Sequence, residues 1–121
     1  MAVGAASIIT NLAAPVVLNT PLSAPEQQAI DIFHGLQQGR IDRSLLSSNL
    51  SDYFTPEAVA DFQSSLAPLG EPLSFHQAGE ALRGGMTFRS FNIVYPGKHL
   101  RLTTYTYPDG KLEQFLIEPA E

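Results

Sequence analysis

Between Ser23 and Leu69 the apolar residues recur three or four positions apart, and from Pro72 onward they recur every second position. That change of period divides the chain into a helical part and a strand part. Ser23-Ala24-Pro25-Glu26 reads as a capping box, in which the serine oxygen accepts a helical N–H and the glutamate reaches back three residues. Ile30, Phe33 and Leu36 follow at helical spacing, and Gly39 is a suitable stop, so the first predicted helix runs about four turns. Asp42 is placed to cap a short second helix containing Leu45 and Leu46, which the polar run Ser47-Ser48-Asn49 ends. Thr55-Pro56-Glu57 starts a third: a capping residue, proline at the first helical position and an acid in the first turn. Val59, Phe62 and Leu66 form its stripe, and Pro68 and Gly70 close it.

Four strands are predicted beyond Gly70, spanning 72–82, 85–95, 98–107 and 111–118. Gly84-Gly85, Pro96-Gly97 and Pro108-Asp109-Gly110 separate them, and turns this short force antiparallel neighbours. Helices followed by strands predict an α+β domain over 23–119, with about three N-terminal helices on one face of a four-stranded antiparallel meander.

Turn chemistry also predicts the register. Pro108 suits the second position of a type I turn and Gly110 the left-handed position after it, so Tyr107 is expected opposite Lys111, Tyr105 opposite Glu113 and Thr103 opposite Phe115. A two-residue turn at Pro96-Gly97 places Tyr95 opposite Lys98 and Phe88 opposite Tyr105. One face then gathers Phe91, Ile93, Leu100, Leu102, Leu112 and Leu116 and is expected beneath the helices. The other gathers Met86, Phe88, Tyr105, Tyr107 and Phe115, with Ile117 and several charged neighbours. An outward face so rich in aromatic residues makes those five the candidate interface.

Composition narrows the function classes. Seven basic and twelve acidic residues give a formal net charge of −5, and the cations are scattered, which argues against nucleic acid as a partner. Without cysteine there is no disulfide, thiolate zinc site or cysteine nucleophile. The uncharged start MAVGAASIITNLAAPVVLNTPLSAP is interrupted by Pro15 and Pro21 and by polar residues, so it offers no stable membrane span. Three readings of residues 1–22 stay open: the remnant of an export signal, a linker, or an arm packed on the domain.

Catalytic and metal motifs are sparse. There is no Gly-x-Ser-x-Gly elbow and no Ser-x-x-Lys motif. His34, His76 and His99 lack the spacing of a zinc site, and GEALRGG lacks the lysine and following helix of a phosphate loop. No catalytic residue, cofactor or metal is expected. Arg89 projects from an otherwise apolar face and calls for a carboxylate, either Glu80 or Asp61.

The helix, helix, helix, sheet order resembles the cystatin-like fold of the nuclear-transport-factor-two-like superfamily. The run RGGMTFRSFNIVYPGKHLRLTTYTYPDGKLEQFLIEP looks more closely like a small domain found behind bacterial secreted serine hydrolases and peptidases. The resemblance covers about Ser23 to Pro119; GGMTFRS and PDGKLEQF are moderately specific for fold and silent about chemistry. It implies a curved sheet, a periplasmic or secreted location with a cytoplasmic one as the alternative, and an accessory role beside a hydrolase or as a homodimer. The superfamily also contains isomerases, in which an acid moves a proton while hydroxyls stabilise an enolate. Tyr105 or Tyr107 with Glu113 or His76 are the residues to cast in such roles, and His76, Arg89 and Glu113 are the pocket candidates of that alternative.

Overall fold

Ser23 opens the first helix as its neighbours require. Its Oγ accepts the Glu26 N–H at 3.2 Å while Glu26 Oε1 accepts the Ser23 N–H at 2.9 Å, so two otherwise orphaned donors are satisfied. The computed structural model describes residues 22–120. The readings of the segment 1–22 therefore lie outside the described residues, Leu22 excepted. Helix α1 (Ala24–Gln37) buries Ala29, Ile32, Phe33 and Leu36. After it, Asp42 caps only a short 3-10 turn, Arg43–Leu45, through a hydrogen bond from the Ser44 N–H.

The second helix lies later than its predicted place. Ser47, read as part of a stop, is an N-cap: its Oγ accepts the Leu50 N–H at 3.2 Å and starts α2 (Ser48–Tyr53). Serine serves either purpose, and the burial of Leu50 and of Phe54 just beyond the helix decides between them. Thr55 caps α3 (Pro56–Leu66) by accepting the Ala58 N–H at 3.1 Å, and the chain leaves through a 3-10 turn, Ala67–Leu69, and Gly70.

Strands β1 (Ser74–Arg83), β2 (Met86–Tyr95), β3 (Lys98–Thr106) and β4 (Leu112–Ala120) form one antiparallel meander in sequence order. The first two turns have two residues each, and Gly84 and Gly85 both hold positive φ (58° and 80°), which a hairpin of this type demands. Tyr95 pairs with Lys98 and Phe88 with Tyr105, as the turns predict.

The last hairpin begins as predicted and then departs. Tyr107 donates its N–H to the Lys111 carbonyl at 2.9 Å, and Gly110, at φ 91°, donates to the Tyr107 carbonyl at 2.8 Å. The register then shifts at Glu113, so that Thr106 faces Leu112, Tyr105 faces Gln114 and Thr104 faces Phe115. A bulge of one residue exchanges the two faces for everything beyond it. Phe115 is consequently in the core, 4% exposed, and Leu116 points outward, 45% exposed. The bulge lets Leu112 and Phe115, an odd number of positions apart, enter the same core.

Phe33, Leu36, Phe54, Phe91, Ile93 and Leu102 are almost free of solvent between helices and sheet. A burial of that kind stabilises by about 1.5–3 kcal/mol for each large side chain. Phe75 links the layers, its ring edge-on to Phe33 at 5.7 Å and tilted to Phe91 at 6.0 Å. Both sheet edges are engaged by the helical part. On β1 the Gln77 N–H donates to Glu26 Oε2 at 2.8 Å, and beside β4 the Ser47 N–H donates to the Leu112 carbonyl at 2.8 Å. Leu46 makes a parallel bridge to Leu112 at the same place.

Candidate functional site

The helices cover one face of the sheet, and the register determines what the opposite face displays. Nearest the Gly84-Gly85 turn, Arg83 pairs with Met86. The next row across the strands is Ala81, Phe88, Tyr105 and Gln114, followed by Gly79, Ser90, Thr103 and Leu116. Beyond these comes a polar row of His76, Asn92, Arg101 and Glu118. The outer face is thus apolar toward one end and charged toward the other.

At the apolar end the side chains hold one another in place. The Phe88 and Tyr105 rings lie 5.3 Å apart at 58°, and the Arg83 guanidinium sits 4.2 Å from the Phe88 centroid. A cation over an aromatic face contributes about 0.5–1 kcal/mol at an exposed site. Tyr53, at the end of α2 and 60% exposed, helps to form a groove of about 480 Å³ with Leu50, Met86, Tyr105, Glu113 and Leu116.

Of the five predicted interface residues, Met86, Phe88 and Tyr105 are brought together here and are half-buried. Tyr107 lies at the turn end of the strand, exposed. Phe115 is separated from them, on the helix side. Leu116 and Tyr53 join the patch without having been predicted for it. The odd spacing of Leu112 and Phe115 is a signal for the first. Recognising Ser47 as a cap would have revealed the second.

The three pocket candidates do not converge. Glu113 belongs to the β4 edge, where the Ser47 hydroxyl donates to Oε1 at 2.6 Å and the Asn49 amide approaches Oε2 at 3.4 Å. Those donors, Ser47 foremost, with Tyr107 as a further hydroxyl, hold its carboxyl below the usual range against a smaller opposing effect of desolvation. Tyr107 is pushed up, first by desolvation and then by the nearby Glu113 charge. The tyrosine beside Glu113 is therefore Tyr107; Tyr105 faces Gln114. His76 is on the β1 edge with an exposed imidazole, its Nδ1 3.9 Å from Glu26 Oε2, too far for a hydrogen bond. Arg89 faces the helices and donates to Glu80 Oε1 at 2.9 Å, which identifies its carboxylate partner. The space beside Arg89, with Gln28, Thr104 and Thr106 in its wall, is about 10 Å³, one water's worth at most.

Among the described residues no cluster of three or more histidine or acidic side chains has a metal-holding arrangement, and no helix is long and apolar enough to cross a membrane. Comparison of the chain with protein-family models, curated proteins and solved structures returns no match.

Proposed function

We propose that this chain is a non-catalytic association domain of a bacterial envelope or secreted protein, meeting a second copy or a partner hydrolase through the outer face of its sheet. One observation carries the reading: Met86, Phe88, Tyr105 and Leu116 collect on the sheet face that the helices leave uncovered, and Tyr53 at the end of α2 lines the groove beside Met86, Tyr105 and Leu116. Apolar and aromatic side chains gathered in this way, with charged residues around them, have the anatomy of a contact surface. The bacterial and exported setting rests on the resemblance of the strand region to domains carried by secreted hydrolases. No specific observation favours a small-ligand or isomerase-like pocket, since Phe, Leu and Ile side chains occupy the space between helices and sheet.

The test is site-specific photocrosslinking in the bacterium that makes the protein. A benzophenone side chain at position 105 is expected to give protein adducts, and one at the exposed Ser64 on α3 to give none. Absence of adducts from both positions 88 and 105, or equal adducts from position 64, would overturn the proposal.

A further inference from the structure

The bulge that exchanges the faces of β4 also sets one residue outside the ladder. Glu113 has no partner on β3; half-buried, it lines the groove beside α2 together with Asn49, Tyr53, Tyr105 and Leu116. All of its donors are neutral: the Ser47 hydroxyl at 2.6 Å, the Asn49 amide at 3.4 Å and the Tyr107 hydroxyl. Ser47 foremost holds the carboxyl below its usual range and so keeps it ionised at neutral pH. Lys111, two positions away, donates instead to the Ser44 carbonyl at 3.0 Å, and among the described residues Glu113 belongs to none of the ion pairs. The groove therefore contains a negative charge that is hydrogen-bonded but has no counter-charge, with tyrosines in the same walls.

We infer that this groove receives an arginine side chain of a different protein, its guanidinium against the Glu113 carboxylate and its flat face against the tyrosine rings. The inference rests on the association reading and adds the chemistry of the partner. A guanidinium is planar and delocalised, so it can bind a carboxylate through its edge while an aromatic ring covers its face; the compact, strongly hydrated ammonium of lysine does this less well. The same outer face already holds one such contact, with the Arg83 guanidinium 4.2 Å from the Phe88 centroid. On Glu113, Ser47 takes Oε1 at 2.6 Å, whereas the long Asn49 contact leaves Oε2 with capacity to accept from a further donor.

Size and field agree with this occupant. The groove of about 480 Å³ is within the range of about 300–1,000 Å³ in which proteins enclose small groups. Arg83 does not oppose an incoming cation, because β1 and β4 are three strand spacings apart, roughly 14 Å, against a screening length of about 8 Å at physiological salt. A second copy would bring its own formal charge of −5 to a chain of the same charge, which favours a different and more basic partner.

The experiment has two arms. In the first, the purified chain is titrated with N-acetyl-arginine amide while the Tyr53, Tyr105 and Glu113 NMR signals are followed, with the neutral citrulline and the lysine derivatives for comparison. The arginine derivative is expected to give saturable shifts, the lysine derivative to bind at least about threefold more weakly, and citrulline to give none. Glu113→Gln, which keeps an oxygen for Ser47, should abolish the saturation; Tyr53→Ala, at a residue 60% exposed, should weaken it about threefold. Saturation by citrulline, or saturation that persists in Glu113→Gln, overturns the inference, and a lysine derivative that binds as tightly overturns the choice of arginine.

In the second arm, Glu113→Gln is combined with the benzophenone at position 105 in cells and should reduce the adducts at least about fivefold. Segments captured by a benzophenone at position 53 should contain an arginine. Adducts at position 105 that Glu113→Gln leaves unchanged, captured segments without arginine, or adducts of twice the chain's own mass overturn the inference and leave association standing. Absence of adducts from the unaltered groove removes the association reading and the inference with it.

Discussion

Phe91, Ile93, Leu100 and Leu102 point inward from β2 and β3 and are at most 5% exposed, whereas Phe88, Ser90, Thr103 and Tyr105 on the same two strands point outward and all keep contact with water. The inner side chains have their partners within the chain, in α1, α3 and the turns around them, so their whole burial belongs to folding. The outer ones are half finished. They gain from each other and from the Arg83 stem, and the surface they retain faces water. Alternation along a strand thus separates residues that stabilise the fold from residues that serve the surface, and neighbouring positions should respond very differently to truncation.

The largest contrast is expected between Phe91 and Phe88. Phe91→Ala should cost about 4 kcal/mol in a urea unfolding series, and Phe88→Ala about 1 kcal/mol. Equal losses would mean that the two faces are not different in the way described. A finer contrast uses adjacent residues: Phe115→Ala should lose about 3 kcal/mol and Leu116→Ala under about 1 kcal/mol. The reverse order would place Leu116 inside and remove the bulge at Glu113.

Smaller again is Ser47→Ala, expected to cost about 1 kcal/mol through the lost cap of α2. Because the same hydroxyl donates to Glu113, an NMR titration should show the Glu113 carboxyl moving up toward its ordinary value in this variant. A stability loss with no movement of Glu113 would reduce Ser47 to its capping role.

The smallest effect concerns Glu26, which accepts the Gln77 and Ser23 N–H groups and is held below its ordinary value of 4.5, the Gln77 bond being the first cause. A depressed carboxylate stabilises the fold above the unfolded value, and that contribution disappears as pH falls from about 4.5 through the folded value. Glu26→Gln should therefore lower the urea midpoint at neutral pH, and the gap to the wild type should narrow at progressively more acid pH. A gap independent of pH would show that the charge contributes nothing.

Where local chemistry is unambiguous, the fold is legible from the chain. Ser23 and Thr55 have one use each as caps, and Gly84-Gly85 and Pro96-Gly97 permit only tight turns, so α1, α3 and the first three strands fall near their predicted places. Ser47 has two uses, and the burial of Leu50 chooses between them only after the layers meet. The bulge at Glu113 is harder to foresee, because the turn before it follows the rule and the reason for the shift is the shape of a distant core that accepts both Leu112 and Phe115. The candidate site inherits that difference. Phe88 and Tyr105, paired across an unbulged hairpin, were predictable as neighbours; Phe115 and Leu116 exchanged places.

The two bonds at the sheet margins carry a consequence for assembly. A bare strand edge recruits further strands without limit, each newcomer offering a fresh edge to the next. Here Glu26 occupies a backbone donor on one margin and Ser47 a backbone acceptor on the other, while Pro119 brings no donor to the last strand. Sideways growth into a filament is obstructed at both ends. The outer face carries no such obstruction, so the margins and the face of one sheet differ in what they offer to another chain.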